Sequence, residues 1–231
     1  MTLERLSHRT VELDALGDVR LEEVLGEGGR SVVYRGDWQG RPVAVKVFKR
    51  HGVEKHARKR DDPIARFEYE RNLAFFQAPG LAGFVAEPLG FSAGPELQAL
   101  IQEFLDGELY YFYHARRGGD IPPALFQGVE KMVRLAHAAS LFDLDLHAMN
   151  VMVVEENGEA VPKLFDFNLV PWSERRSNPW VWLMIKAGIR KPGRRDRRML
   201  RDFHDFSKRV PILLRYFDSE GHPRGHPRSP A

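Results

Sequence analysis

The chain has 231 residues, a formal net charge of +3 and no cysteine, which excludes disulfides, thiolate metal sites and cysteine nucleophiles. Its hydrophobic and charged fractions, 43% and 29%, are those of a globular chain long enough for one large domain or two small lobes. Residues 1–17 lack the continuous apolar run of a signal peptide and no stretch approaches a membrane span, so a cytoplasmic protein is expected.

In chain order, residues 20–24, 31–38 and 41–50 are β-prone, with Gln39-Gly40 as a tight hairpin between the second and third. The first turn is glycine-rich: Gly26-Glu27-Gly28-Gly29-Arg30-Ser31. Such a turn lets backbone N–H groups approach an anion closely, although a G-x-G alone is more often an ordinary hairpin. Val43-Ala44-Val45-Lys46-Val47 then sets one cation in an apolar strand, where it needs a carboxylate or a phosphate. Asp61-Asp62-Pro63 reads as a helix start, with Asp62 as the N-cap, and the helix runs to Gln77 before Pro79-Gly80. Glu70 is the favoured partner for Lys46, because Leu73 and Phe75 suit a helix docking beside it. Glu68 is the alternative, and solvation of both is the third possibility.

Residues 84–91 and 97–104 read as two further strands around Ser92-Ala93-Gly94-Pro95. The second ends in Gln102-Glu103-Phe104-Leu105-Asp106-Gly107, a linker whose backbone could meet a flat heterocycle. Residues 122–142 carry Phe126, Val129, Met132, Val133 and Ala136 at helical spacing. Next comes Asp143-Leu144-Asp145-Leu146-His147-Ala148-Met149-Asn150, and then two apolar runs joined by the turn signal Asn157-Gly158. The second run ends in Asp166-Phe167-Asn168. The hairpin would bring Asn150 and Asp166 together as hard oxygen ligands, a donor set that suits Mg²⁺ held against phosphates.

The order of glycine-rich loop, Val-Ala-Val-Lys, helix glutamate, linker, Asp-x₄-Asn and Asp-Phe resembles the protein-kinase-like superfamily over residues 20–170. That resemblance implies an α+β, two-lobed fold: a five-stranded antiparallel N-lobe with one helix (1–105), a short, mainly helical C-lobe (106–217) and a disordered tail (218–231). It implies an ATP-dependent phosphotransferase using Mg²⁺, in which Gly26, Gly28, Gly29 and Ser31 cover the phosphates. Val33 and Ala44 would line the nucleotide site, Lys46 would contact the α/β-phosphates under the hold of Glu70, and Gln102, Glu103 and Leu105 would lie at the adenine. Asp145 would orient or deprotonate the attacking hydroxyl, and Asn150 and Asp166 would hold the metal. Asp143 stands in a slot usually filled by histidine, where it supports the loop, and Asn168 and Ser31 replace glycines. His147 reads as a structural loop residue. No Ala-Pro-Glu follows, and the Asp-Leu-His-x-x-Asn form more closely resembles the atypical and small-molecule kinases, including the aminoglycoside phosphotransferase type.

Between Arg175 and Arg201 there are ten Lys/Arg against one Asp, interleaved with Trp180, Trp182, Leu183, Met184 and Ile185; Trp172 lies just upstream. One reading is a small helical core with a solvated basic face. The other is contact with an anionic membrane surface or a polyanionic substrate through residues 172–201. A second basic cluster, residues 49–60, could face the same partner. Nucleic acid finds no supporting motif. The brevity and basic composition also resemble the lipopolysaccharide-core kinases, which implies a cytoplasmic enzyme at the inner membrane acting on a glycolipid sugar hydroxyl. Short regulatory kinase-like proteins are an equal resemblance, so an atypical protein kinase or a nucleotide-binding pseudokinase remains the alternative.

Overall fold

The computed structural model describes residues 6, 8–14, 16–117, 120–171, 179–189 and 193–204; side chains at 181, 182, 202 and 204 are excepted. The expected tail, together with Trp172 and the side chain of Trp182, lies outside the described residues. The first half of the chain builds a six-stranded antiparallel sheet: β1 Thr10–Leu13, β2 Gly17–Glu27, β3 Ser31–Trp38, β4 Arg41–Phe48, β5 Pro88–Ala93 and β6 Gln98–Glu103. Their order is β1-β2-β3-β4-β6-β5. Alternation of Val43, Val45 and Val47 with Val32 and Tyr34 across β3 and β4 buries one face in a core completed by Ala99 and Ile101 of β6.

Two expectations change here. The sheet has one strand more than the expected five, because the short β1 pairs with β2 from Thr10↔Arg20 to Leu13↔Gly17. The end of the third expected strand is instead α1, Arg50–Ala57, so this lobe has two helices. The second, α2 (Ile64–Gln77), begins at Pro63 without a side-chain cap. Asp62 is not its N-cap. That carboxylate is taken by Arg60 at 2.8 Å and faces His56 at 3.4 Å.

The second half holds β7 Gly107–Leu109, α3 Tyr110–Arg116, α4 Pro123–Ala138, β8 Val151–Glu156 and β9 Glu159–Leu164, then α5 Pro179–Lys186 and α6 Arg194–His204. Strands β7-β8-β9 form a small sheet. The α4 stripe buries Val129, Met132, Val133 and Ala136 as the periodicity predicted, with Leu125 fully buried and Phe126 only partly so. This helix ends earlier than expected; Ser140, at φ +59°, turns the chain out of it. Phe75 of α2 packs against Phe167 with ring centroids 5.1 Å apart, and both belong to the C-lobe core. The lobes are therefore joined by apolar packing as well as by the chain crossing after Glu103.

Candidate active site

A cleft of about 480 Å³ opens between the two sheets. Its roof is Leu25, Gly26, Gly28, Ser31, Val33 and Ala44; residues 102–107 form its inner edge, and Met152, Phe165, Asn150 and Asp166 its floor. Eleven of the residues expected from the sequence line this one space: Gly26, Gly28, Ser31, Val33, Ala44, Lys46, Gln102, Glu103, Leu105, Asn150 and Asp166. Gly29, Glu70 and Asp145 do not line it; Asp145 touches it through Asn150, whose carboxamide bonds the Asp145 carbonyl.

Glu70 is the clearest correction. It is exposed on α2 and accepts from Arg66 one turn earlier, at 2.7 Å. Lys46 Nζ instead donates to Glu68 at 2.6 Å and to Asp166 at 2.9 Å. Burial by itself would depress the Lys46 ammonium; the charges of Asp166 and Glu68 overcome it and the net shift is upward. Burial pushes the Glu68 carboxyl up to about 7, with Asp166 adding to the rise and Lys46 opposing it. One cation between two carboxylates leaves the group one negative charge in excess. Glu68 Oε1 is also buried with no hydrogen-bond partner among the described residues.

Asp166 is fixed from two sides. Lys46 holds Oδ1, while Asn168 donates from its backbone N–H to Oδ1 (3.2 Å) and from its carboxamide to Oδ2 (2.8 Å). A glycine at 168 could not make the second bond. Gln102 Nε2 donates to the Phe165 carbonyl at 3.1 Å, tying the floor to β6. The Glu103 side chain accepts from Lys163 at 3.3 Å and from the Glu87 backbone at 3.1 Å.

The glycine-rich turn closes through Gly28 N–H to the Ser31 carbonyl at 2.9 Å, and α1 braces it from outside. Lys49 N–H donates to the Arg30 carbonyl at 2.8 Å, and the Lys49 ammonium pairs with Glu27. A Cβ on Gly52 would lie 2.6 Å from the same Arg30 carbonyl, so a side chain at 52 would push α1 off the loop. The cluster at residues 49–60 is thus largely engaged inside its own lobe: Lys49 with Glu27, Arg50 with Glu54, Arg60 with Asp62.

The segment at 143–150 is held by charged side chains that the sequence did not single out. Arg71 of α2 donates to the carbonyls of Phe142 and Asp143, the latter at 2.8 Å. Asp196 of α6, fully buried, accepts from the backbone N–H groups of Asp143 (2.8 Å) and Leu144 (2.9 Å) and meets His137 at 3.0 Å. These bonds secure a backbone that turns at positive φ at Asp143 (+60°) and Asp145 (+53°). At Asp143 these bonds use the backbone, and His147 accepts the Met149 N–H at 3.2 Å. Asn150 donates to the Asp145 carbonyl at 3.0 Å and lines the cleft with Asp166. Asp145 Oδ1 accepts from Arg195 at 3.1 Å; burial raises its carboxyl and Arg195 offsets part of that rise.

A curled antiparallel sheet carrying a strand lysine and a helix glutamate, set over a helical lobe with an interlobe cleft, is the protein-kinase-like fold. Among solved structures, the PknI kinase domain of Mycobacterium tuberculosis superposes with a TM-score of 0.57 at 17% identity, covering 87% of this chain and 75% of that one. Among curated proteins, the probable serine/threonine-protein kinase pats1 of Dictyostelium discoideum is 26% identical over 172 residues, which is 64% of this chain and 5% of that protein. No protein-family model matches the chain.

Proposed function

We propose that the protein is an ATP-dependent phosphotransferase acting on a hydroxyl acceptor. The observation that carries this reading is the Lys46–Glu68–Asp166 ion group at the inner end of a cleft roofed by the glycine-rich turn. A buried cation aimed into such a space is available to nucleotide phosphates, and the excess negative charge favours a cation beside Asp166. Asn150 and Asp166 are the residues that would hold Mg²⁺. Among the described residues no three His, Cys or acidic side chains gather into a metal cluster, which suits an ion completed by phosphate and water oxygens. Bound there, Mg²⁺ would neutralise charge on the phosphates. Asp145 would orient the hydroxyl and accept its proton; Leu105 and its neighbours would meet the adenine through backbone groups. Most of the rate would come from positioning and fixed charge.

The competing reading, nucleotide binding without transfer, was suggested by Asp143 and Asn168. Asn168 holds Asp166 through its carboxamide at 2.8 Å, and this weighs towards transfer. For the acceptor, the basic, Trp-bearing end of the chain supports a sugar hydroxyl of an anionic glycolipid such as a lipopolysaccharide core. The pats1 likeness supports a serine or threonine hydroxyl as the second class. Trp180, Leu183 and Ile189 are exposed (73%, 49% and 75%) near Lys186 and the arginines of α6, which supports contact with an anionic membrane surface.

Mg²⁺-ATP at about 100-fold over its Kd should stabilise the folded protein by roughly 2.7 kcal/mol. The shift should shrink in Asp166→Ala, and its absence from the wild type would remove the nucleotide reading. ADP release should fall steeply in Asp145→Asn; equal turnover would exclude Asp145 from the transfer step. Binding to anionic vesicles should weaken when Arg194, Arg197 and Arg198 are replaced by glutamine, and unchanged binding would exclude the membrane contact.

A further inference from the structure

Asp145 does not face an open acceptor side. Its Oδ1 is bonded by Arg195, whose side chain and that of Asp145 are 34% and 21% exposed, so the pair stands at the rim of the site rather than in bulk water. The guanidinium's backbone cannot drift away, because the next residue, Asp196, is fully buried and bonded to the N–H groups of Asp143 and Leu144. Arg195 therefore approaches the carboxylate from a helix bolted to the same loop. The other charged groups facing Asp145 are Asp166 from the end of β9, His147 from its own loop and Arg30 from the glycine-rich turn. Arg194, Arg197 and Arg198, all exposed, extend the positive charge outward along α6.

We propose that Arg195 makes the acceptor side selective for a hydroxyl compound that carries its own anion, a phosphate or a carboxylate, beside the hydroxyl. The proposal rests on the phosphotransferase reading above and names the acceptor class for the same site. Arg195 takes Oδ1, and Oδ2 lies 3.5 Å from the Asn150 carboxamide nitrogen, so a hydroxyl that bonds Asp145 approaches beside the guanidinium. A neutral alcohol that takes Oδ1 breaks this partly exposed pair and offers the guanidinium no charge in return. An acceptor bearing an anion exchanges one negative partner for another, and the five N–H donors of the guanidinium fit phosphate or carboxylate oxygens in pairs. With the anion seated on Arg195, the acceptor oxygen bonds the γ-phosphorus as the bond to the ADP oxygen breaks, and the hydroxyl proton passes to Asp145.

The test uses the full chain with Mg²⁺-ATP and two probes that differ by one phosphate, glycerol and glycerol 3-phosphate. The wild type should transfer to glycerol 3-phosphate at least about tenfold more efficiently than to glycerol, as sites built to bond a polar group reject analogues that lack it. Arg195→Ala should bring the ratio towards one, chiefly through a higher KM for glycerol 3-phosphate, and Arg195→Lys should restore it in part. A wild type that treats the probes alike, including transfer to neither, overturns the proposal, as does a ratio that survives in Arg195→Ala. If Arg195→Ala does not fold, Arg195→Gln replaces it under the same criteria. Failure of the underlying nucleotide reading shows separately, as no thermal shift of the wild type with Mg²⁺-ATP.

Discussion

Lys46 is embedded in the sheet and has two carboxylates within hydrogen-bonding distance; from the sequence Glu68 was only the alternative to Glu70, and Asp166 was expected as a metal ligand rather than a partner of Lys46. Glu68 and Glu70 are two residues apart on a helix, about 200° around its axis, so one faces the sheet and the other faces water. The deciding signal was the stripe Ile64, Glu68, Asn72 and Phe75, all buried; of the two residues on which Glu70 was favoured, Phe75 belongs to that stripe and Leu73 is only partly covered. Removing a partner from a buried ion pair costs about 3–5 kcal/mol when the remaining charge is orphaned. Since Asp166 still holds Lys46, Glu68→Ala should cost roughly 2–3 kcal/mol in denaturant unfolding and sharply reduce transfer. Glu70→Ala removes an exposed i,i+4 pair with Arg66 and should change stability by less than about 0.5 kcal/mol. Equal losses from the two would show that the helix is rotated from the position described.

At the scale of elements, the loop carrying Asp145 depends on helices distant from it in sequence. The α2 helix supplies Arg71 and α6 supplies Asp196, one bonding carbonyls and the other N–H groups of adjoining residues. Asp196 was visible only as the single acid among ten basic residues, and that isolation was its one signal. Asp196→Ala would leave two loop N–H groups without an acceptor; at about 1–3 kcal/mol for each buried group left unsatisfied, a loss of roughly 2–4 kcal/mol is expected in thermal unfolding, together with a fall in kcat. An unaltered melting temperature would mean that the loop does not rely on α6. The α1 helix offers a pH test. Burial lowers the His56 imidazole despite Asp62, so its folded pKa lies below its unfolded value near 6.5. The unfolded chain then binds more protons in that window, and this contribution to stability is complete above about pH 6.5 and lost as pH falls through it. His114, also lowered by burial, acts with the same sign, while Glu68, raised to about 7, acts oppositely between about pH 4.5 and 7. The difference between wild type and His56→Gln isolates the His56 part: the variant's stability should fall less steeply from pH 7 to 5, and parallel profiles would exclude His56.

For the whole molecule, the cleft lies between two lobes whose parts were largely legible one at a time. The glycine-rich turn, the valine-flanked lysine, the Asp-x₄-Asn spacing and the Asp-Phe end of the hairpin are local patterns, and local chemistry dictates them: backbone access at glycines, an unpaired cation in an apolar strand, oxygen donors at strand ends. Short spacing along the chain was therefore enough to recognise the class of fold and most residues of the cleft. It was not enough to say which face of α2 meets the sheet, that residues 10–13 add an outer strand, or that the start of α1 braces the glycine-rich turn through Lys49 and Gly52. Nor could it place Arg195 on Asp145, fifty positions away. Those outcomes depend on helix phase and on contacts closed only when the lobes pack, where a rotation of one residue moves a side chain by about 100° from a buried ion pair towards solvent. Composition and spacing determined the kind of site; tertiary packing alone decided which charges complete it.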